Sequence, residues 1–238
     1  MDYQACKKIC EEYYGKDAEY IAKYNNMKQL ASEHTVRLEY GLGGAVIHRG
    51  FYCPSLVQDI VIGNCRRGKR IIKPKKCSFY DYVYHFDKND NLILIDRYAR
   101  EKRDWLCSQE YIFYSDNETF SINFNLTYDK VVNLVSFLAK CKYDEGKLIT
   151  YDRYMYLYRT KCHQIERESY EYHEDGTIKD MIMELYMAPD VYRKDVFSFN
   201  HDENGYLKDY TVHHKQYGFD GKVSENESRY PVLIRRKV

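Results

Sequence analysis

The chain has 238 residues, with 37 Lys and Arg against 36 Asp and Glu, a formal net charge of +1. Its 44% hydrophobic and 31% charged content is that of a folded globular chain rather than a disordered one, and so balanced a charge argues against a histone-like nucleic-acid binder. No apolar run approaches the roughly 20 residues of a membrane helix; the best candidate, 131–139, is interrupted by Asn133 and Ser136. Behind the charges of the first eight residues there is no apolar segment, so no secretory signal is expected. The eight Cys are scattered without a CxxC, which predicts reduced thiols and a cytoplasmic protein.

In chain order, residues 2–33 read as two helices, with Gly15 ending the first and Asp17 capping the second. Tyr20, Ile21, Tyr24, Met27, Leu30 and Ala31 recur at spacings of three and four. That is one apolar stripe, suited to packing on the rest of the chain. From Val36 onward the signals are those of strands and turns. Segment 37–40 leads into Gly41-Leu42-Gly43-Gly44 and then 45–47, 55–62 is mixed in pattern, and 64–68 is a turn.

Beyond residue 78 a turn recurs, preceded by Asp and aromatic residues and followed by Leu, Ile or Phe. Its copies centre on positions 91, 118, 146, 176 and 205, separated by 27, 28, 30 and 29 residues, with a closing copy at 221. Asp-Gly and Asn-Gly between aromatic and β-branched residues are strong hairpin signals, because both turn positions must tolerate positive φ. A period near 28 fits one hairpin per repeat, two strands of about ten residues each. The segment 131–139 stays open, since Val131, Leu134, Val135 and Leu138 also fit a helical stripe. The expectation is a mainly β (α+β) fold, with N-terminal helices (1–35) packed on a long antiparallel meander of repeated hairpins (36–238) in one continuous domain.

The pattern aromatic-x-aromatic-(x)-Asp-x-x-Gly-x-Leu resembles the YD (Rhs-type) hairpin repeat. It is carried best by 169–178 and 196–207 and covers roughly 79–223. Asn91 and Glu118 stand where that repeat carries Gly. Similar hairpins occur in immunity proteins of bacterial polymorphic-toxin systems. The resemblance implies an immunity-like binding protein and supplies no catalytic residues.

Candidate chemistry is sparse. Arg66, Arg67, Lys69, Arg70, Lys73, Lys75 and Lys76 place seven cations in eleven residues, a run that could engage phosphates or an acidic partner. Phe79, Tyr80 and Tyr82 follow as aromatic platforms. Gly41-Leu42-Gly43-Gly44 with His48 and Arg49 is the one enzyme-like string, with His48 as acid or base and Arg49 as anion clamp. It matches neither a P-loop nor a dinucleotide fingerprint, and a tight sheet bend explains its glycines as well. Cys6 and Cys10 could supply half a metal site, but adjacent His213 and His214 should point to opposite faces of a strand. No metal or cofactor is expected. Asp87, Asp116, Asp175 and Asp202 sit in turns, where Asp caps its own backbone.

The first reading is therefore a non-catalytic, cytoplasmic, protein-binding module: an immunity protein that neutralises a cognate bacterial toxin by covering it. Tyr80, Tyr82, Tyr154 and Tyr156 would serve as anchors of low conformational entropy. Arg66, Arg67, Lys69 and Arg70 would meet an acidic face. If the toxin were a nuclease, the hairpin acids Glu166, Glu168, Glu171, Glu174 and Asp175 would meet its basic cleft. The alternative is a nucleic-acid-binding protein or nuclease-like enzyme using the basic run 66–76 with His48 and Arg49. Neither reading calls for a membrane.

Overall fold

The computed structural model describes residues 8, 16–43, 49–62, 68–71, 80–99, 105–157, 162–187, 191–217 and 222–232. The described part is mainly β. Helix α1 (Asp17–His34) is followed by β1 (Arg37–Leu42), a short π-helical turn (Val57–Ile62) and β2 (Lys69–Ile71). Then come β3 (Tyr82–Phe86), β4 (Leu92–Tyr98), β5 (Leu106–Ser115), β6 (Glu118–Leu126) and β7 (Val132–Asp144). The remaining strands are β8 (Lys147–Leu157), β9 (Cys162–Tyr172), β10 (Ile178–Met187), β11 (Val191–His201), β12 (Leu207–Tyr217) and β13 (Val223–Pro231). Hydrogen-bonded neighbours follow the order β13-β12-β11-β10-β9-β8-β7-β6-β5-β4-β3-β1-β2. From β3 onward each strand thus pairs with the next, the expected antiparallel meander. The expected first helix, the copy at 221 and the pair Cys6 and Cys10 lie outside the described residues.

The chain divides into two compact units within β7, the first spanning Gly15–Leu138 and the second running on from Ala139. In the first unit α1 packs on the sheet through Tyr24, Met27 and Ala31, which are buried. Tyr24 meets Phe124 at 5.1 Å and Tyr111 at 5.9 Å between ring centroids. The stripe is narrower than its sequence suggests, since Ile21 and Leu30 are exposed. Asp17 is the first helical residue rather than the cap. Lys16 occupies that place and makes no side-chain cap bond, and Asp17 instead suits the positive N-terminal end of the helix dipole. At the other end the Thr35 N–H and hydroxyl both reach the Ala31 carbonyl, at 3.0 and 2.6 Å. The Val36 N–H then joins the sheet at the Phe86 carbonyl.

Gly41 is explained by close approach. A Cβ there would lie 2.6 Å from Tyr84 Oη, and that hydroxyl donates to the Arg49 carbonyl and accepts the Phe51 N–H. The glycine thus lets a fully buried tyrosine lie against the backbone. The mixed segment 55–62 ends in the π-helical turn rather than a strand, with Val57 and Ile60 buried.

Of segment 131–139, all but Val131 belongs to strand β7. Val135, Phe137, Ala139 and Cys141 alternate inward, and Leu138 is buried as well, which gave the residues their helical look. The preceding connection is a turn that the repeat count passes over. Thr127 N–H bonds the Val131 carbonyl at 2.9 Å, and Lys130 N–H bonds the Thr127 carbonyl at 2.9 Å. The same five-residue geometry closes Asp87–Asn91, His173–Thr177 and Asp202–Tyr206. Its fourth residue always has positive φ: Asp90 (66°), Lys130 (61°), Gly176 (85°) and Gly205 (75°). Asp87 and Asp202 accept backbone N–H groups within their own turns, as expected of turn aspartates.

Candidate protein-binding surface

The antiparallel register of β8–β13 builds rows of side chains that share one face, because directly opposed residues point the same way. One row is Tyr154, Ile165, Tyr186, Tyr192, Tyr217 and Val223. The next is Asp152, Arg167, Glu184, Lys194, Lys215 and Glu225, a ladder of charges across six strands. A third is Thr150, Ser169, Ile182, Val196, His213 and Glu227.

The ladder is locked internally. Arg167 grips both carboxylate oxygens of Asp152, the Tyr192 hydroxyl donates to Glu184 Oε1 at 2.6 Å, and Lys215 Nζ lies 2.6 Å from Glu225 Oε1. This last pair holds the Glu225 carboxyl below its ordinary value and the Lys215 ammonium above its own. The Tyr192 and Tyr217 rings sit 5.3 Å apart. Along the tyrosine row exposure rises from 1% at Ile165 and 2% at Tyr186 to 36% at Tyr217 and 48% at Val223. The row therefore leaves the packed interior at β12 and β13, where a charged and aromatic surface becomes accessible.

The other face of these strands holds the core of the unit, including Tyr170, Met181, Phe197 and Val212 on one row. Buried charges stand beside it. Arg153 Nη2 donates to Glu166 Oε2 at 2.8 Å, and Asp195 is held by His214 and Arg193, each at 2.9 Å. His213 approaches Glu225 and Glu227 instead, so the two adjacent histidines face opposite ways, as alternation requires.

At one end of β9–β11 an open cleft of about 960 Å³ is lined by Tyr172, His173, Glu174, Asp175, Asp180 and His201, among others. Hydrogen bonds from the Thr177 hydroxyl and N–H hold the Asp175 carboxyl below its ordinary value. Burial, with help from His173, lowers the His201 imidazole.

Of the residues singled out from sequence, Glu171 and Glu174 are exposed at this end of the sheet, with Lys179 Nζ 3.5 Å from Glu171. Glu166 and Glu168, from the same hairpin, are buried. Tyr82 is buried in the first unit and Tyr154 in the second. Tyr156 packs on His163 at 4.9 Å, and Tyr80 sits between Tyr40 and Tyr98. In the basic run Lys69 is exposed, whereas Arg70 donates twice to the buried Glu39 carboxylate, both bonds at 2.6 Å. Arg49 is buried and donates to Glu110 Oε1 at 2.7 Å. Arg66, Arg67 and His48 lie outside the described residues. The charge ladder itself was not read from sequence; aligning the hairpins strand by strand would have exposed it.

Among the described residues no three His, Cys, Asp or Glu side chains gather as a metal site, and no helix is long and apolar enough to cross a membrane. No protein-family model matches the sequence, and no curated protein is similar to it at a significant level.

Proposed function

We propose that the protein is a non-catalytic protein-binding module of the immunity type, which neutralises a cognate bacterial toxin in the cytoplasm by direct binding. The observation that carries this reading is the row structure of β11–β13. Tyr192, Tyr217 and Val223 lie beside Lys194, Lys215 and Glu225, and cross-strand bonds hold Tyr192 on Glu184 and Lys215 on Glu225. Such a surface loses little conformational entropy on association, and aromatic groups set in a charged frame are typical anchors of protein interfaces. The exposed Glu171 and Glu174 at the adjacent cleft suit a partner that brings basic groups, as the substrate cleft of a nuclease does.

The reading is tested by recovering the partner on the tagged chain and expressing that partner alone in a bacterial host. Growth arrest that is relieved by co-expressing this chain supports it. A partner that leaves growth unchanged, or an arrest that the chain does not relieve, overturns it.

A further inference from the structure

Strand β13 ends the sheet: among the described residues only β12 pairs with it, and all of it but Ser228 is exposed. The Val232 N–H donates to the Lys208 carbonyl at 3.0 Å, and this sets the alternation of the antiparallel ladder. Ser224, Asn226, Ser228 and Tyr230 turn their backbone groups towards β12, while Val223, Glu225, Glu227, Arg229 and Pro231 turn theirs outwards. Pro231 thus stands where its missing N–H costs the β12 ladder nothing. The outward N–H and C=O groups are a template for one more strand. Proteins often guard such an edge with charge, and here the charges oppose most pairings but favour one. Glu227 and Arg229 are 68% and 66% exposed. Glu227 has His213 near it, at 4.0 Å. Arg229 uses Nε and Nη2 on Asp209, and a guanidinium carries five donors, so donors remain for a second carboxylate.

A second copy of the chain meeting this edge about a twofold axis lays its own β13 antiparallel to the first, and the residue on the axis fixes every pair. An axis at Glu225, Glu227 or Arg229 sets a charge against itself. An axis at Asn226 opposes Glu225 to Glu227 twice. An axis at Ser228 opposes no like charges and sets Glu227 against Arg229 twice, with Glu225 against Pro231 and Asn226 against Tyr230. Opposite charges directly across a strand pair stabilise it, and like charges destabilise it. We propose that β13 is a self-association edge, on which two copies of this chain pair antiparallel about Ser228. Glu227 and Arg229 of the second copy then exchange main-chain hydrogen bonds as well as charge, and the Glu225 N–H reaches the Pro231 carbonyl. The contact is small, so the dimer is weak and concentration-dependent. It needs no other protein and does not rest on the toxin-binding reading.

Sedimentation equilibrium of the purified full-length chain alone tests this. The expected result is a reversible monomer–dimer equilibrium with a dissociation constant below about 0.5 mM. Glu227→Arg opposes like charges twice and should weaken it by about tenfold or more, whereas Glu225→Arg, whose position faces Pro231, should weaken it less. Ser228→Cys reads the register directly. The axis places the two copies of that residue in a pair without mutual hydrogen bonds, with Cα atoms about 4.5 Å apart, within reach of a disulfide. Mild oxidation should therefore cross-link S228C into a covalent dimer, and neither Asn226→Cys nor the parent chain. A chain that stays monomeric throughout overturns the proposal and leaves the edge to a strand from another protein. So does an undiminished dimer in E227R, an equal loss in E225R, or N226C cross-linking as readily as S228C. The equilibrium of the unaltered chain decides the matter even if a variant fails to fold.

Discussion

Arg153 Nη2 and Glu166 Oε2 form a 2.8 Å ion pair between β8 and β9 in which both residues are almost fully buried, at 2% and 5% exposure. The pair is incompletely answered: Arg153 Nε and Nη1 and Glu166 Oε1 have no hydrogen-bond partner among the described residues. Burial opposes the guanidinium charge, but Tyr151, Glu166 and Glu168 outweigh it and raise the Arg153 pKa. Removing one partner strands the other charge in a dry site, whereas replacing both by apolar groups removes two desolvation costs together.

Glu166→Leu alone should therefore lower unfolding stability by about 3–5 kcal/mol, while Arg153→Met combined with Glu166→Leu should recover most or all of that loss. Urea denaturation of the two variants and the parent checks this. Equal destabilisation in the single and double variants would contradict it.

Glu39 gives a pH prediction. Its carboxylate is 1% exposed and takes hydrogen bonds from Arg37, Arg70 and the Tyr52 hydroxyl. Burial pushes its pKa up, but Arg70 and Tyr52 with Arg37 outweigh that, so the net shift is downward from 4.5. A group with a lowered folded pKa contributes stability that is fully present above its unfolded value and is lost as pH falls through its folded one. The parent should lose stability as pH drops below about 4.5, and Glu39→Gln should lose less over the same window while being less stable at pH 7. Thermal melts across pH 3–7 test this, and parallel pH profiles would count against it.

Turn chemistry gives a third. Lys130 occupies a position with φ 61° that Gly fills in the turns at Gly176 and Gly205. A side chain in the left-handed region costs about 1–2 kcal/mol, partly offset by the greater unfolded freedom of glycine. Lys130→Gly should raise stability by roughly 0.5–1 kcal/mol, whereas Gly205→Ala should lower it by a similar amount. Chemical denaturation measures both, and a destabilised K130G would show that the lysine side chain has a role of its own.

The period of the hairpins was legible because turn residues carry a local backbone requirement: Gly146, Gly176 and Gly205 mark turns by their identity. The turn at 127–131 was illegible for the converse reason, since Lys130 takes positive φ without announcing it. Segment 131–139 was ambiguous because Leu138 is buried alongside the inward alternation of Val135, Phe137 and Ala139, so periodicity alone could not separate strand from helix. For the candidate site, the exposure of Glu171 and Glu174 followed from their place near a turn. The burial of Glu166, in the same hairpin, depends on Arg153 from the neighbouring strand, and Arg70 is engaged by Glu39 some thirty residues away. Such pairings arise from register between strands, which a linear reading of charge does not carry.

The exposed rim of the tyrosine and charge rows supplies a prediction about binding. Tyr217→Ala and Lys215→Glu change side chains at the accessible end of the rows, and the core face of β12 is untouched. Each should weaken the complex with the partner by about tenfold or more, within the range of interface anchors, while shifting the melting temperature little. Calorimetric titration of each variant with the purified partner measures it. Undiminished affinity in both would move the interface elsewhere.

The central claim is tested most directly by native affinity capture from the source cells, with and without nuclease and at high salt, read by mass spectrometry. The account predicts a single stoichiometric protein that survives both treatments and is lost from the Tyr217→Ala variant. Captured nucleic acid that vanishes as salt rises, with no protein partner, would contradict it.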